Sequence, residues 1–167
     1  MSAPSLAAPT APERSDIEKL YSDKVLEFAG NNPRLGRLDA PEATATVHSR
    51  LCGSTITVDI VTDGDIVVDY AHEVRACAIG QASSAILARA VIGATAAELR
   101  EVRETMLAML KEDGPPPEGR FAEARYLEPV RDYRARHAAT MLPFDAVVAA
   151  LNQIEAARSA PETNEEP

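Results

Sequence analysis

The stretch Thr55–Val74, TITVDIVTDGDIVVDYAHEV, alternates apolar and polar residues on both sides of an Asp63-Gly64 dipeptide. Asp-Gly between two alternating runs is typical of a two-residue β-hairpin turn. The stretch therefore predicts two antiparallel strands, Thr55–Val61 and Ile66–Val74. The apolar faces are expected to hold Ile56, Val58 and Ile60 on the first strand, and Ile66, Val68, Tyr70 and Val74 on the second.

The flanking sequence adds a third strand and several helices. A strand is predicted at Ala43–His48, where Thr alternates with Ala and Val, and everything after Cys77 has helical character. The predicted helices run from a capping box at Ser15 to Gly30, over Ala78–Val91, from a capping box at Thr95 to about Leu110, in one or two short pieces between Phe121 and Tyr133, and from His137 or Met141 to Arg158. This order predicts an α+β fold, a three-stranded antiparallel sheet packed by helices.

Size and charge limit the classes of function. The chain has 167 residues, which suits one domain, and we assign residues 14–158 to it, with disordered tails at 1–13 and 159–167. The net charge of −9 argues against nucleic acid and an anionic membrane surface as partners. The sequence has no run of 18 apolar residues, no secretory signal, no glycine-rich phosphate loop and no GxSxG. We interpret its acidic residues as solvated faces and tails.

The chain holds two cysteines, Cys52 and Cys77, which are expected to be free thiols in an unexported protein. Cys52 lies in the tight connection before the second strand, and Cys77 lies between the third strand and a helix. A helix N-terminus favours a thiolate. Because the start of strand two and the end of strand three meet at one edge of a meander, the two thiols are predicted to be close. Burial as small apolar residues is the alternative.

The three histidines give weaker signals. His48 and His72 lie in strand patterns and are expected to be ordinary surface or core residues. His137 begins the last helix and becomes a candidate ligand only if that helix start faces the thiols. Two thiolates alone do not complete a tetrahedral metal site.

Three segments resemble the U-type iron–sulfur cluster scaffold family, whose branches are NifU-, IscU- and SufU-like. LYSDKVLEFAGNNPRLGRLDAPEA, residues 20–43, is similar to the opening helix and Asn-Pro-Arg turn of that family. The central block, LCGSTITVDIVTDGDIVVDYAHEVRACAIGQASSAILARAVIG, resembles its Cys-Gly-Asp loop, hairpin and second cysteine. ARHAATMLPFDAVVAAL resembles the closing helix, and residues 111–136 are similar to the insertion of the SufU-like branch.

The resemblance implies a scaffold or sulfur acceptor rather than an enzyme. It implies a cytoplasmic protein that takes sulfur from a cysteine desulfurase and helps to assemble an iron–sulfur cluster, or holds zinc as SufU-like members do. Carried over by residue, Cys52 and Cys77 match the first and second site cysteines. Three positions differ from the family: its aspartate is Ser54 here, its third cysteine is Ala139, and the histidine before that cysteine is Ala138.

Three arrangements remain open for this divergent member. A homodimer could share a cluster through Cys52 and Cys77 of each chain, giving four thiolates. One chain could hold zinc through Cys52, Cys77 and His137 with a fourth position open. The site could also be degenerate, leaving a metal-free adaptor that docks assembly partners on its acidic surface.

Overall fold

The computed structural model describes residues 20–51 and 53–160. Its elements follow the predicted order of helix, three strands and further helices, which confirms the α+β class. They are α1 (Asp23–Gly30), β1 (Ala43–His48), β2 (Thr55–Asp63), β3 (Ile66–Arg75), α2 (Ala78–Ala90), α3 (Ala96–Lys111), a 3₁₀ segment (Gly119–Asp132) with a further turn (Arg134–Arg136), and α4 (His137–Ser159).

The three strands form one antiparallel sheet in the order β1-β2-β3. The hairpin loop is Gly64-Asp65, one residue later than predicted, and Gly64 has the positive φ that this turn requires. The register shifts between Val61 and Thr62. The predicted common face on β3 is therefore wrong near the hairpin: Val67 is buried there, whereas Ile66 and Val68 are exposed.

The first helix is shorter than predicted in the described part. Leu20 is helical, but the chain leaves the helix at Tyr21, and α1 begins at Asp23. Ser22 is its N-cap, because the Ser22 side chain accepts a hydrogen bond from the backbone N–H of Val25. The Ser15 capping box, the predicted tail 1–13 and most of the predicted tail 159–167 lie outside the described residues.

Helix α2 is the centre of the helical layer. It packs against α1, α4, β3 and the 3₁₀ segment, and nine of its 13 residues are buried. Its two serines serve this packing, as expected: Ser83 donates to the backbone oxygen of Thr140 and Ser84 to that of Gly80. Helix α4 lies across β1 and β2 and also contacts α3. The helical layer therefore fixes the start of α2 against the start of α4.

The other helix starts agree with the sequence signals. Thr95 and Glu98 form the predicted capping box at the start of α3 through two reciprocal hydrogen bonds of 2.9 and 3.0 Å. A helix break expected at Pro129 is wrong, because the 3₁₀ segment continues through Pro129 and its non-helical residue is Phe121. None of the helices in the described residues is long and apolar enough to span a bilayer.

One acidic residue contradicts the expectation that carboxylates are solvated. Asp59 on β2 is fully buried and accepts two hydrogen bonds from Arg37, at 2.7 and 3.0 Å, one from Thr44 and one from the backbone N–H of Leu38. Burial raises the pKa of the Asp59 carboxyl, but these hydrogen bonds outweigh it and hold the pKa below its usual range. Asp59 thereby ties the segment before β1 to the sheet.

Candidate thiol site

The connection between β1 and β2 is a closed turn. The N–H of Ser49 donates to the oxygen of Ser54, and the N–H of Gly53 donates to the oxygen of Ser49, both at 2.8 Å. Gly53 has φ of +71°, a conformation that costs glycine little. Leu51 in the same turn is 78% exposed. Cys52 lies outside the described residues, so only its flanking backbone is defined.

Cys77 is the N-cap residue of α2. Its backbone is extended, its side chain makes no capping hydrogen bond, and its oxygen accepts from the N–H of Gln81 at 2.9 Å. The thiol is free and half-buried. Thr55 pairs with Arg75, so the turn before β2 and the end of β3 lie at one end of the sheet. The proximity of the two sulfur atoms remains a prediction.

His137 is buried at the start of α4, with 8% exposed. Its Nε2 lies 3.1 Å from the oxygen of Val130 and 3.0 Å from that of Arg131. Because a carbonyl oxygen only accepts, Nε2 carries a proton, and Nδ1 is the ring nitrogen left to bind a metal. Among the described residues, no three His, Cys, Asp or Glu side chains are grouped as metal ligands.

Ala139, which the family resemblance aligns with the third cysteine, lies beside the start of α2. A Cβ atom on Gly80 would be 3.7 Å from Cβ of Ala139 and 3.5 Å from its oxygen. Gly80 is in the first turn after Cys77, so Ala139 is near the end of the sheet that carries the thiol. Ser54, which the family resemblance aligns with the aspartate, is buried with 3% exposed.

A set of hydrogen bonds around His72, which we call the polar clamp and which was not predicted from the sequence, supports this end of the sheet. The N–H of His72 donates to the oxygen of Arg34, its oxygen accepts from Gly36, and its Nε2 donates to the oxygen of Pro33 at 2.9 Å. Burial lowers the pKa of His72, and the hydrogen bond to Pro33 opposes that shift. His72 is thus a core residue, one of the two expected outcomes, and holds the Asn-Pro-Arg turn on β3.

The same turn reaches α2 through Asn32. Its Nδ2 donates to Oε1 of Gln81 at 2.9 Å, and Nε2 of Gln81 donates to the oxygen of Val74. The clamp therefore connects the turn, the end of β3 and the first turns of α2. The Asn-Pro-Arg turn was the feature of the sequence that could have pointed to this clamp. His48 plays no part, since it is exposed and contacts Thr55 at 3.2 Å.

Comparison with known proteins agrees with this architecture. A family model described as NifU-like N terminal domain matches residues 20–140, which include both cysteines. The crystal structure of a nitrogen-fixing NifU-like protein (N-terminal) from Brucella abortus superposes with a TM-score of 0.84. It is 59% identical, and the match covers 87% of this chain and 99% of that one.

Two curated relatives are more distant. The iron–sulfur cluster assembly scaffold protein IscU of Thermotoga maritima is 24% identical over 138 residues, covering 83% of this chain and 96% of the relative. The protein of the same name from Streptococcus pyogenes serotype M1 is 26% identical over 139 residues, covering 83% and 87%. Both matches span nearly the whole relative.

Proposed function

Because the chain belongs to the NifU-like N-terminal domain family, we propose that it is an iron–sulfur cluster assembly scaffold whose working groups are Cys52 and Cys77. The observation that supports this proposal is the family match over residues 20–140, with both cysteines in it and Cys77 at the junction of β3 and α2. The proposed unit is residues 14–158, working in the cytoplasm, where reducing conditions keep thiols free. The role is that of an acceptor rather than an enzyme.

Sulfur transfer from a cysteine desulfurase is the proposed first step. A thiolate of Cys52 or Cys77 attacks the terminal sulfur of the donor's persulfide, the sulfur–sulfur bond breaks, and the donor leaves as a thiolate. The scaffold then carries the persulfide, and the exchange needs no external oxidant. The Leu51–Gly53 turn suits this step because Leu51 beside Cys52 is exposed to a partner.

Iron or a nascent cluster is the cargo of the second step. The donor set of one chain is incomplete for a cluster: it has two thiols, a serine in place of the aspartate, and an alanine in place of the third cysteine. Four thiolates are usual for a [2Fe–2S] centre. We therefore favour a homodimer that shares the cargo between Cys52 and Cys77 of both chains.

Zinc is the second candidate cargo. Cys52, Cys77 and His137 would supply three ligands, with Nδ1 as the donor of His137 because Nε2 is bonded to backbone oxygens. The metal-free adaptor is the third candidate. Its support is the substitution of two family ligands by Ser54 and Ala139, both of which are buried.

The deciding experiment is the content of iron, zinc and acid-labile sulfide per chain after purification without oxygen and after incubation with iron and a sulfur donor. About half a [2Fe–2S] cluster per chain, with a dimer in sedimentation, supports the shared site. Near one zinc without sulfide supports the three-ligand site, and loss of that zinc in His137→Ala identifies the third ligand. Neither metal nor sulfide under both conditions supports the adaptor.

The cysteine variants separate these outcomes from nonspecific loading. Cys52→Ser and Cys77→Ser should each reduce loading and sulfur uptake from the desulfurase, whereas Ala138→Ser should not. The scaffold proposal fails if both cysteine variants retain full loading and full sulfur uptake.

A further inference from the structure

A groove lies between the end of α3, the connection to α4 and the start of α4. It has a volume of about 620 Å³, and its apolar lining comprises Leu51, Leu107, Leu110 and Met141. We call it the α3–α4 groove. Leu51 is the residue before Cys52 and is 78% exposed, so the groove reaches the turn that carries this thiol. Its volume is in the range of small-molecule sites, roughly 300–1,000 Å³.

The polar lining of the groove is cationic. Lys111, Arg131 and Arg134 contribute to it, in a chain whose net charge is −9. Lys111 and Arg134 are exposed, and neither makes an ion pair with any residue that the structure describes. The acidic member of the lining, Asp145, is 2.7 Å from Arg103 and is neutralised by it. The groove therefore has two uncompensated positive charges at an apolar surface.

Arg131 adds a donor without an acceptor. Its Nη2 donates to the oxygen of Gly114 at 2.8 Å and to Oε2 of Glu128 at 3.0 Å. Its Nε is buried and has no hydrogen-bond partner in the described part of the chain. An unsatisfied buried donor is uncommon and costs free energy, so the described chain does not by itself complete the hydrogen bonding of Arg131 at this side of the groove.

These features match an organic acid better than a phosphate. The apolar part of such a ligand would contact Leu107, Leu110 and Met141, while its single negative charge would pair with Lys111 and Arg134. Phosphate sites commonly use glycine-rich backbone N–H groups, and the groove has no glycine in its lining. The combination of apolar floor and side-chain cations favours a carboxylate.

We propose that the α3–α4 groove binds a small amphipathic carboxylate, with its apolar body on the α3–α4 floor and its carboxylate at Lys111 and Arg134. The lining also includes His137, the candidate third zinc ligand, so the groove borders the proposed cargo site. The carboxylate contacts proposed here are made by other residues and require no metal, so the proposal goes beyond the scaffold function. A ligand seated there would cover Leu51 and thereby border the Cys52 turn.

The test is a ¹H–¹⁵N NMR titration of the metal-free full chain with N-acetyl-L-leucine, alongside N-acetyl-L-leucinamide as the uncharged match. We expect saturable shifts at Leu51, Lys111 and Ala138 with the acid, and binding of the amide about tenfold weaker because it lacks the charge. Equal binding of acid and amide, or no saturable shifts with the acid, would overturn the proposal.

Variants locate the site. Lys111→Gln combined with Arg134→Gln should weaken binding of the acid about tenfold, and Leu51→Ser should weaken it by a smaller factor. These positions are exposed, so the fold should persist, which circular dichroism verifies. Lys24→Gln combined with Arg125→Gln removes two charges elsewhere and should leave binding unchanged. An equal loss in this control would mean general attraction by charge and would refute the site.

Discussion

Ala139 packs on Gly80, so that a Cβ atom on Gly80 would lie 3.7 Å from Cβ of Ala139. The same added atom would be only 2.6 Å from Cβ of Ala76, which means that glycine is needed for this close approach. The contact fixes the start of α4 beside the helix that Cys77 caps. Ala139, which the family resemblance aligns with the third cysteine, therefore lies beside the first turn of α2.

We predict that Ala139→Cys increases zinc affinity. A third thiolate beside the first turn of α2 would add one Zn–S bond to those of Cys52 and Cys77, and we expect at least about a tenfold gain. Competition with a chromophoric chelator measures the affinity. Ala138→Cys, which adds a thiol one residue earlier, should give a clearly smaller gain. Equal gains from the two variants would show that position 139 has no special access to the site.

Ser54→Asp should make stability depend on zinc. Ser54 is buried, so a carboxylate there loses hydration unless a metal binds it. We expect a lower thermal midpoint without metal and recovery with one equivalent of zinc. Ser54→Asn, which has the same shape without the charge, should show no such recovery. A midpoint of Ser54→Asp that zinc leaves unchanged would argue against a metal position at this turn.

Most of the fold was predictable because its signals are local. Alternation in Thr55–Val74, the Asp-Gly turn and the Thr95 capping box each act over a few residues, and each gave the correct element. The errors arose where a single residue changes the pattern. The register shift at Val61 reverses the faces of Ile66 and Val68, and Ser22 starts α1 after a break that apolar spacing did not indicate.

The site was less predictable because its contacts are long-range. His72 meets the backbone of Pro33 and Arg34, and Asn32 meets Gln81 across 49 positions, so neither contact has a periodic signal. Asp59 has the alternation of a solvated residue, and its burial depends on Arg37 folding over the sheet. For His137, the helix start was predictable as one of two positions, whereas the hydrogen bonds that occupy Nε2 were not.

Asp59→Asn is predicted to destabilise the protein at pH 7. An asparagine amide has only one acceptor oxygen, so it cannot accept both hydrogen bonds from Arg37 as the carboxylate does. Its NH₂ group is itself a donor and would face a buried donor group. We expect a loss of about 1–3 kcal/mol in the free energy of unfolding, measured with urea. Arg37→Gln should also destabilise the protein, because it leaves the buried Asp59 carboxylate without its counter-charge, although Thr44 and the backbone N–H of Leu38 still donate to it.

The pH dependence gives this prediction a second readout. Since the pKa of Asp59 is lowered in the fold, its stabilising effect is complete above the unfolded value of about 3.9 and is lost as the pH falls through the folded pKa. The difference in the free energy of unfolding between the native protein and Asp59→Asn should thus be constant from pH 7 to 5 and shrink below about pH 4. A difference that persists at the lowest pH would assign the loss to packing instead.

His72 should make the protein less stable as the pH falls below neutrality. Its pKa is lowered by burial, so the unfolded chain takes up a proton near pH 6.5 while the folded one resists. The contribution of neutral His72 to the free energy of unfolding is therefore fully present above about pH 6.5. It falls as the pH drops from that value to the folded pKa, by at most about 1.4 kcal/mol per pH unit. Urea unfolding at intervals from pH 7.5 to 5 measures the slope.

The matched variants are His72→Gln and His48→Gln. Glutamine at position 72 retains an N–H for the oxygen of Pro33 but does not titrate, so its stability should change less between pH 7 and 5 than that of the native protein. His48 is exposed and its ring hydrogen-bonds to Thr55, so its replacement removes a histidine outside the clamp and serves as the control. If His72→Gln keeps the native slope of unfolding free energy against pH, the pH dependence arises at another group. Protonation of His72 would then not affect the clamp on the Asn-Pro-Arg turn.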